Sequence, residues 1–342
     1  MKNDLAIGYE GLVAALRAVA EPTRLRVLNA LRRTELTVGE MCSVVGQSQP
    51  RVSRHLKILV DARLLDRHSQ GTSAYYRITV NPAGRQIVDA VLGLLDLDDV
   101  IAARDLGRVE AIRERRAVEA ADYFESIASS WNEMRALHVE DAEVEKAILD
   151  AVGSEHVENL LDIGTGTGRM LSLFADRIDD GIGIDSSRQM LNVARANLDS
   201  SGDRHCRVRH GDVYDLGLEP GSFDVAVLHH VLHFLDDPAM AIAEAATMLG
   251  SGGRVVIVDF APHRVESLLF EHRHRHLGFA EAEVEGWIQA AGLTCEPTVH
   301  LVPASADADQ PTLTTTIWTA RSTVSLATAV LDADRSIMEE AS

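Results

Sequence analysis

The stretch Leu160-Leu161-Asp162-Ile163-Gly164-Thr165-Gly166-Thr167-Gly168 decides the fold. Four apolar or acidic residues suited to a buried strand run straight into glycines at every second position. Glycine has no Cβ, so a backbone turn built from it can approach a nucleotide-like ligand closely, and a helix starting there offers its free N–H groups. The spacing discriminates between ligands. A dinucleotide fingerprint reads G-x-G-x-x-G. Here glycines fall at 164, 166 and 168, and Arg169 stands where the third dinucleotide glycine would be.

Four further segments follow in register. Gly181-Ile182-Gly183-Ile184-Asp185 reads as a second strand ending in an acid, with Ser186 next. Asp185 is placed where a carboxylate grips ribose hydroxyls. Val208-Arg209-His210-Gly211-Asp212-Val213 reads as a third strand, and Phe223-Asp224-Val225-Ala226-Val227-Leu228-His229-His230 as a fourth. Gly252 to Asp259 reads as a turn and a fifth. The apolar runs are continuous, as expected for parallel strands covered on both faces. Helical stretches between them suit βαβ crossovers.

These residues resemble the motifs of class I methyltransferases. Residues 155–320 are similar to the branch typified by ubiquinone biosynthesis. The resemblance implies a Rossmann-like domain with a seven-stranded mixed sheet, and S-adenosylmethionine (SAM) or S-adenosylhomocysteine (SAH) as its ligand. It implies cofactor contacts at Asp162, Gly164, Thr165, Gly166, Gly168, Asp185, Ser186, Asp212, Val213 and His229, with Asp212 facing the adenine amine. No catalytic residue is assigned.

The N-terminal eighty residues read differently. They hold 12 Lys and Arg against 7 Asp and Glu, a net of +5, on a chain whose formal charge is −19. A basic segment on an acidic chain suits a local nucleic-acid contact. Leu12 to Arg33 has helical periodicity broken at Glu21-Pro22. Thr37 and Glu40 form a capping-box pattern for a helix from Val38 to Val45. After Gly46-Gln47, Ser48 can cap a second helix running to about Ala62. One face of that helix is apolar (Val52, Leu56, Leu59). The other carries Gln49, Arg51, Ser53, Arg54 and Lys57, side chains suited to base edges and phosphates. Leu64 to Ile78, turning at Gly71-Thr72, reads as a hairpin.

This arrangement resembles the winged helix-turn-helix of ArsR-family regulators. The resemblance rests on Ala20-Glu21-Pro22-Thr23-Arg24-Leu25, on Ser48 to Leu56 and on Tyr75-Tyr76-Arg77. It implies a double-stranded operator read by Ser48, Gln49, Arg51, Ser53, Arg54, His55 and Lys57, with Arg67 and Tyr76 on the wing. It also implies a homodimer, paired through a helix bearing Ile87, Val91, Leu94 and Leu95. Metal-sensing members carry a cysteine pair in the helix near Leu36. Thr37 and Gly39 stand there instead, and Cys42 alone cannot supply the thiolates that soft metals need.

The expected architecture is α/β and multidomain. A winged helix-turn-helix spans 1–95, a helical linker and pocket lid 96–150, a methyltransferase domain 151–322, and a tail 323–342. In the lid, Tyr123, Phe124 and Trp131 would border the pocket. Thr298–Pro303 and Thr312–Ala320 read as a final hairpin around a loop at 304–311. His272, His274 and His276 alternate on an expected helix, about 200° apart, which suits no single metal site, so they read as surface or gate. No metal site is expected.

With 46% hydrophobic residues, no long apolar run, no apolar N-terminal signal and three scattered cysteines, a cytoplasmic chain without membrane spans or disulfides is expected. The tandem of the two domains resembles bacterial regulators that respond to SAM or SAH. A DNA-binding regulator with the methyltransferase-like domain as its effector module is the first reading. An active methyltransferase acting on a small molecule, with an attached DNA-binding domain, is the alternative. No Asn-Pro-Pro-Tyr motif follows the fourth strand, so the usual signature of amino-nitrogen methylation is missing.

Overall fold

The computed structural model describes residues 7–70, 73–79, 81–96, 99–135, 139–271, 274–303 and 313–322. The hairpin turn at Gly71-Thr72, His272, the loop 304–311 and the tail 323–342 lie outside the described residues, as do the side chains of Tyr123, Phe124 and Trp131. The chain forms two compact units, Met1–Glu119 and Ala120–Ser342.

The first unit contains α1 (Tyr9–Val19), α2 (Pro22–Leu31), β1 (Leu36–Thr37), α3 (Val38–Val45), α4 (Gln49–Asp61), β2 (Leu65–Gln70), β3 (Ser73–Ile78), α5 (Pro82–Leu92) and the start of α6 (Val100–Arg135). Each boundary has a local cause. Pro22 opens α2, and the Glu21 carboxylate accepts the Arg24 N–H at 2.8 Å. Thr37 and Glu40 cap α3 reciprocally, and Gly46 closes it at φ +70°. Ser48 occupies the N-cap of α4, but its side chain makes no capping bond there. Val52, Leu56 and Leu59 turn inward and join Leu28, Leu36, Met41 and Val44 in one core. β3 pairs antiparallel with both β1 and β2, which makes the wing.

The expected linker is divided differently. Val109 and Ile112 of α6 are buried in the core of the first unit, so that unit extends to Glu119 instead of ending near residue 95.

The second unit holds α7 (Asp141–Val152), β4 (Val157–Ile163), α8 (Arg169–Phe174), β5 (Ile178–Asp185), α9 (Arg188–Ser201), β6 (Cys206–His210), β7 (Phe223–His229), α10 (Pro238–Met248), β8 (Leu249–Phe260), α11 (Ser267–Glu271), α12 (Glu281–Ala290), β9 (Leu293–Cys295), β10 (Val299–Leu301) and β11 (Thr315–Ser322). The sheet order is β10-β11-β8-β7-β4-β5-β6, seven strands with β11 antiparallel to its neighbours. An eighth short strand, β9, pairs with the end of β11. It extends the seven-stranded mixed sheet expected from the sequence.

Alternate strand residues enter two separate cores. Leu161, Ile163, Ala226, Leu228, Val255 and Ile257 pack with α10 and α12. Leu160, Val225, Val227, Val256 and Val258 pack with α7, α8 and α9. The sheet is therefore covered on both faces, which explains the continuous apolar runs. From β4 the chain winds through β5 and β6 to one side, then through β7 and β8 to the other. The reversal lies between β4 and β7, so the crevice outside the carboxyl ends of those strands is the expected ligand position. No described helix is long and apolar enough to cross a membrane.

Candidate functional site

At the reversal point the glycine-rich turn is held by the neighbouring strand. The N–H groups of Gly164 and Thr165 both donate to the Ile184 carbonyl, at 2.7 and 2.9 Å. Gly164, Gly166 and Gly168 adopt φ of +72°, +52° and +77°, a region costly for residues with a Cβ. Gly164 also admits a close neighbour: a Cβ there would lie 2.3 Å from the Val231 side chain. The alternating glycines are thus demanded by backbone conformation and by the loop after β7.

Asp185 caps the same turn. One carboxylate oxygen accepts the Gly166 N–H at 2.9 Å and the other the Ser187 N–H at 2.7 Å. Each oxygen retains a second lone pair, so hydroxyl groups of a ligand can still be accepted. Burial raises the Asp185 pKa despite those amide bonds. Asp162 plays another part. It is 1% exposed and accepts the Thr165 hydroxyl at 2.6 Å, and burial pushes its pKa up to about 7. It shapes the turn from behind. Ser186 follows Asp185 in the turn before α9. Asp212 is exposed and accepts the Tyr214 N–H at 3.0 Å, while Val213 is buried beside it.

His229 ends β7, next to the crevice. Burial pushes its pKa down to about 4, so the ring is neutral at physiological pH. His230 follows with φ +55°. His233 is 2% exposed, and its Nδ1–H donates to Asp259 at 2.7 Å. Sequence reasoning left Asp259 out because nothing in its local pattern tells which residue it meets across the sheet edge.

The histidine run further on corrects its expectation. Residues 274–276 are not helical. His274 is 4% exposed and stacks on His233 with ring centroids 4.0 Å apart. His276 makes a 2.9 Å hydrogen bond to the Leu235 carbonyl. His274 is therefore a packed part of the strand-end cluster, and His276, half-buried, packs on Phe279 with ring centroids 5.1 Å apart.

On the first unit, Ser48, Gln49, Arg51, Arg54 and Lys57 are exposed along α4, Ser53 is half-buried, and Arg67 is exposed on the wing. Two expected DNA contacts turn inward. Tyr76 is buried in the core opposite Leu36, because its position in β3 faces the helices. The His55 ring lies 3.5 Å from the Glu21 carboxylate with little exposure.

Helix α6 grips both ends of α3. Arg116 donates to both Glu40 oxygens at 2.9 Å and to the Glu35 carbonyl at 3.2 Å. Arg108 donates to the Val44 carbonyl at 2.8 Å. Asp105, 2% exposed, pairs with Arg26, which in turn donates to the Val45 carbonyl. The exposed large apolar residues described in this unit are Ile7, Tyr9, Leu12, Val13 and Leu16 at and on α1, then Leu94, Val100, Ile101 and Val118. Ile87, Val91 and Leu95 of the expected pairing stripe pack instead against their own core.

Comparison with known proteins fits this division. Residues 21–67 match the model of the bacterial regulatory protein, arsR family, and residues 161–257 that of a methyltransferase domain. The chain is 33% identical over 183 residues to an uncharacterized 37.1 kDa protein in transposon TN4556 of Streptomyces fradiae, covering 52% of this chain and 47% of that protein. It is 36% identical over 80 residues to the HTH-type transcriptional regulator KmtR of Mycobacterium tuberculosis, covering 23% and 62%. The chain spans about half the length of the curated relatives it matches. Among solved structures, the YcgJ protein of Bacillus subtilis is similar over 54% of this chain and all of its own, at 17% identity and a TM-score of 0.47. The chain is a fusion of an arsR-family helix-turn-helix domain and a methyltransferase domain.

Proposed function

We propose that the fusion is a transcriptional regulator whose methyltransferase domain binds SAM or SAH as effector. The observation that carries this reading is helix α6. It is one unbroken helix from Val100 to Arg135, and its first half holds both ends of α3 through Asp105, Arg108 and Arg116. A stiff helical connector transmits orientation, whereas a flexible linker only raises local concentration. A shift of α6 would be felt at the helix that positions α4.

In this reading α4 enters the major groove, with Gln49, Arg51, Arg54 and Lys57 toward bases and phosphates, Ser48 and Ser53 beside them, and Arg67 on the backbone from the wing. The exposed apolar side chains of α1, with Leu94, Val100 and Ile101, pair two copies, and the two-fold matches a palindromic operator. The ligand lies over Gly164–Gly168, with Asp185 on the ribose, Asp212 and Val213 at the adenine and His229 toward the methionine end.

A methyltransferase acting on a small molecule is the second reading. The intact Gly164–Gly168 turn and its Asp185 cap favour it equally, since transfer needs the same pocket. Operator binding titrated separately with SAM and SAH, with product analysis of the same samples, tests both. Ligand-dependent operator affinity without methylated product supports the effector reading. Equal affinity in all states, with product formed, replaces it by the enzyme.

A further inference from the structure

Four histidines ring Phe260 at the carboxyl ends of β7 and β8. His230, His233, His263 and His274 have ring centroids 4.6, 5.2, 6.0 and 6.1 Å from that of Phe260. One donor atom from each of His230, His233 and Asp259 lies within 4.8 Å of the other two. The group sits in a nearly dry wall: Asp259 is 0% and His233 2% exposed, with Phe234 against His233 at 4.1 Å.

The hydrogen bonds leave metal-binding capacity in place. Asp259 Oδ1 accepts His233 Nδ1–H at 2.7 Å and the Phe260 N–H at 2.8 Å, and Oδ2 accepts the His233 N–H at 3.3 Å. A carboxylate oxygen has two lone pairs, so Oδ2 retains one. Nδ1 of His233 and Oδ1 of Asp259 already stand 2.7 Å apart, so an ion that replaces the Nδ1 proton is held by both. The displaced proton leaves to solvent, and the other ring nitrogen then carries the hydrogen of the neutral imidazole. His230 reaches the group from a backbone at φ +55°, a strained setting for a non-glycine residue that concentrates at functional sites. His263 adds a buried Nε2 that makes no hydrogen bond among the described residues.

We propose that His230, His233 and Asp259 bind one divalent transition ion of the Zn2+, Ni2+ or Co2+ class. Two imidazoles and a carboxylate suit borderline ions. No cysteine belongs to the group, which disfavours soft ions, and two nitrogen donors disfavour Mg2+ and Ca2+. Donors around one tetrahedral ion stand about 3.4 Å apart, a spacing within the 4.8 Å that encloses the three ligand atoms. This reverses the expectation of no metal site, at residues other than the 272–276 run. The site lies beside the glycine-rich turn, since Val231 packs on Gly164, yet it does not depend on SAM binding.

The test uses the full chain titrated with Co2+, followed by visible absorption, and with Zn2+ in competition. One ligand-field-absorbing site per chain is expected. His230→Asn removes the imidazole while keeping a residue that tolerates positive φ, so the fold should survive, as checked by melting and by SAH calorimetry. Its Co2+ affinity should fall at least about tenfold, and Asp259→Asn, which removes a charged ligand, should lower it at least as far. His300→Asn, on β10, should change nothing. No Co2+ or Zn2+ site in the full chain, or a site undiminished in a folded His230→Asn protein, overturns the proposal.

Discussion

Arg116 Nη2 stands 2.9 Å from both carboxylate oxygens of Glu40, the residue that completes the capping box of α3. One carboxylate thus serves the helix start and the connector. Arg116 is 8% exposed, so removing it leaves the half-buried Glu40 with only the more exposed Arg115 as a cation, at 3.7 Å. Arg116→Ala should destabilise the first unit by about 3 kcal/mol, read in urea melts. Arg116→Lys should recover only part, because a single ammonium lacks the second nitrogen that donates to the Thr34 hydroxyl at 3.3 Å. A loss below about 0.5 kcal/mol in the alanine variant would show the pair to be an ordinary surface contact.

Asp162 makes stability fall with rising pH. Its carboxyl titrates near 3.8 when unfolded and at about 7 when folded. Between those values the unfolded chain ionises there and the folded one resists, so the penalty grows from pH 4 to 7 and is constant above. Asp162→Asn keeps an acceptor for the Thr165 hydroxyl and removes the penalty. Between pH 5 and 7 the variant should gain about 2 kcal/mol or more over the parent in the methyltransferase unfolding transition. A difference independent of pH would contradict the buried, protonated carboxyl.

Gly164→Ala should disrupt the glycine-rich turn for two separable reasons. The positive φ costs about 1–2 kcal/mol, and the new Cβ meets Val231 at 2.3 Å. The double variant Gly164→Ala, Val231→Ala should recover SAH affinity only partly, by relieving the clash and leaving the φ cost. Full recovery, or none, in calorimetry would show that one of the two causes is missing.

DNA affinity should separate α4 from β3. Arg51→Ala and Arg54→Ala should each weaken operator binding by about 1–3 kcal/mol if bidentate to a base. Tyr76→Phe should leave it unchanged, because the ring belongs to the core. Gel-shift titrations in which Tyr76→Phe is the more damaging change would reverse the assignment of the reading face.

Much of this was legible in the sequence because its causes are local. The glycine spacing at 164, 166 and 168 reports positive φ, and the continuous apolar runs report a sheet covered twice. Thr37 with Glu40, Pro22 and Gly46 mark helix ends by their own chemistry. What stayed illegible depends on distant partners. Arg26 meets Asp105 and Arg116 meets Glu40 across more than seventy positions, so α6 read as a free linker. Tyr76 could not be turned inward without knowing which face of β3 the helices cover. His274 read as surface because alternation was taken for a helix, whereas the chain there leaves α11 and packs on His233.

The most direct measurement is operator affinity of the full chain, without ligand and with saturating SAM or SAH. Fluorescence anisotropy on one palindromic duplex at fixed salt provides the reading. The account predicts that SAM and SAH change the affinity unequally, by about 5–150-fold for the stronger effector, with the duplex changing that ligand's affinity by the same factor. Identical operator affinity in all three states would contradict it.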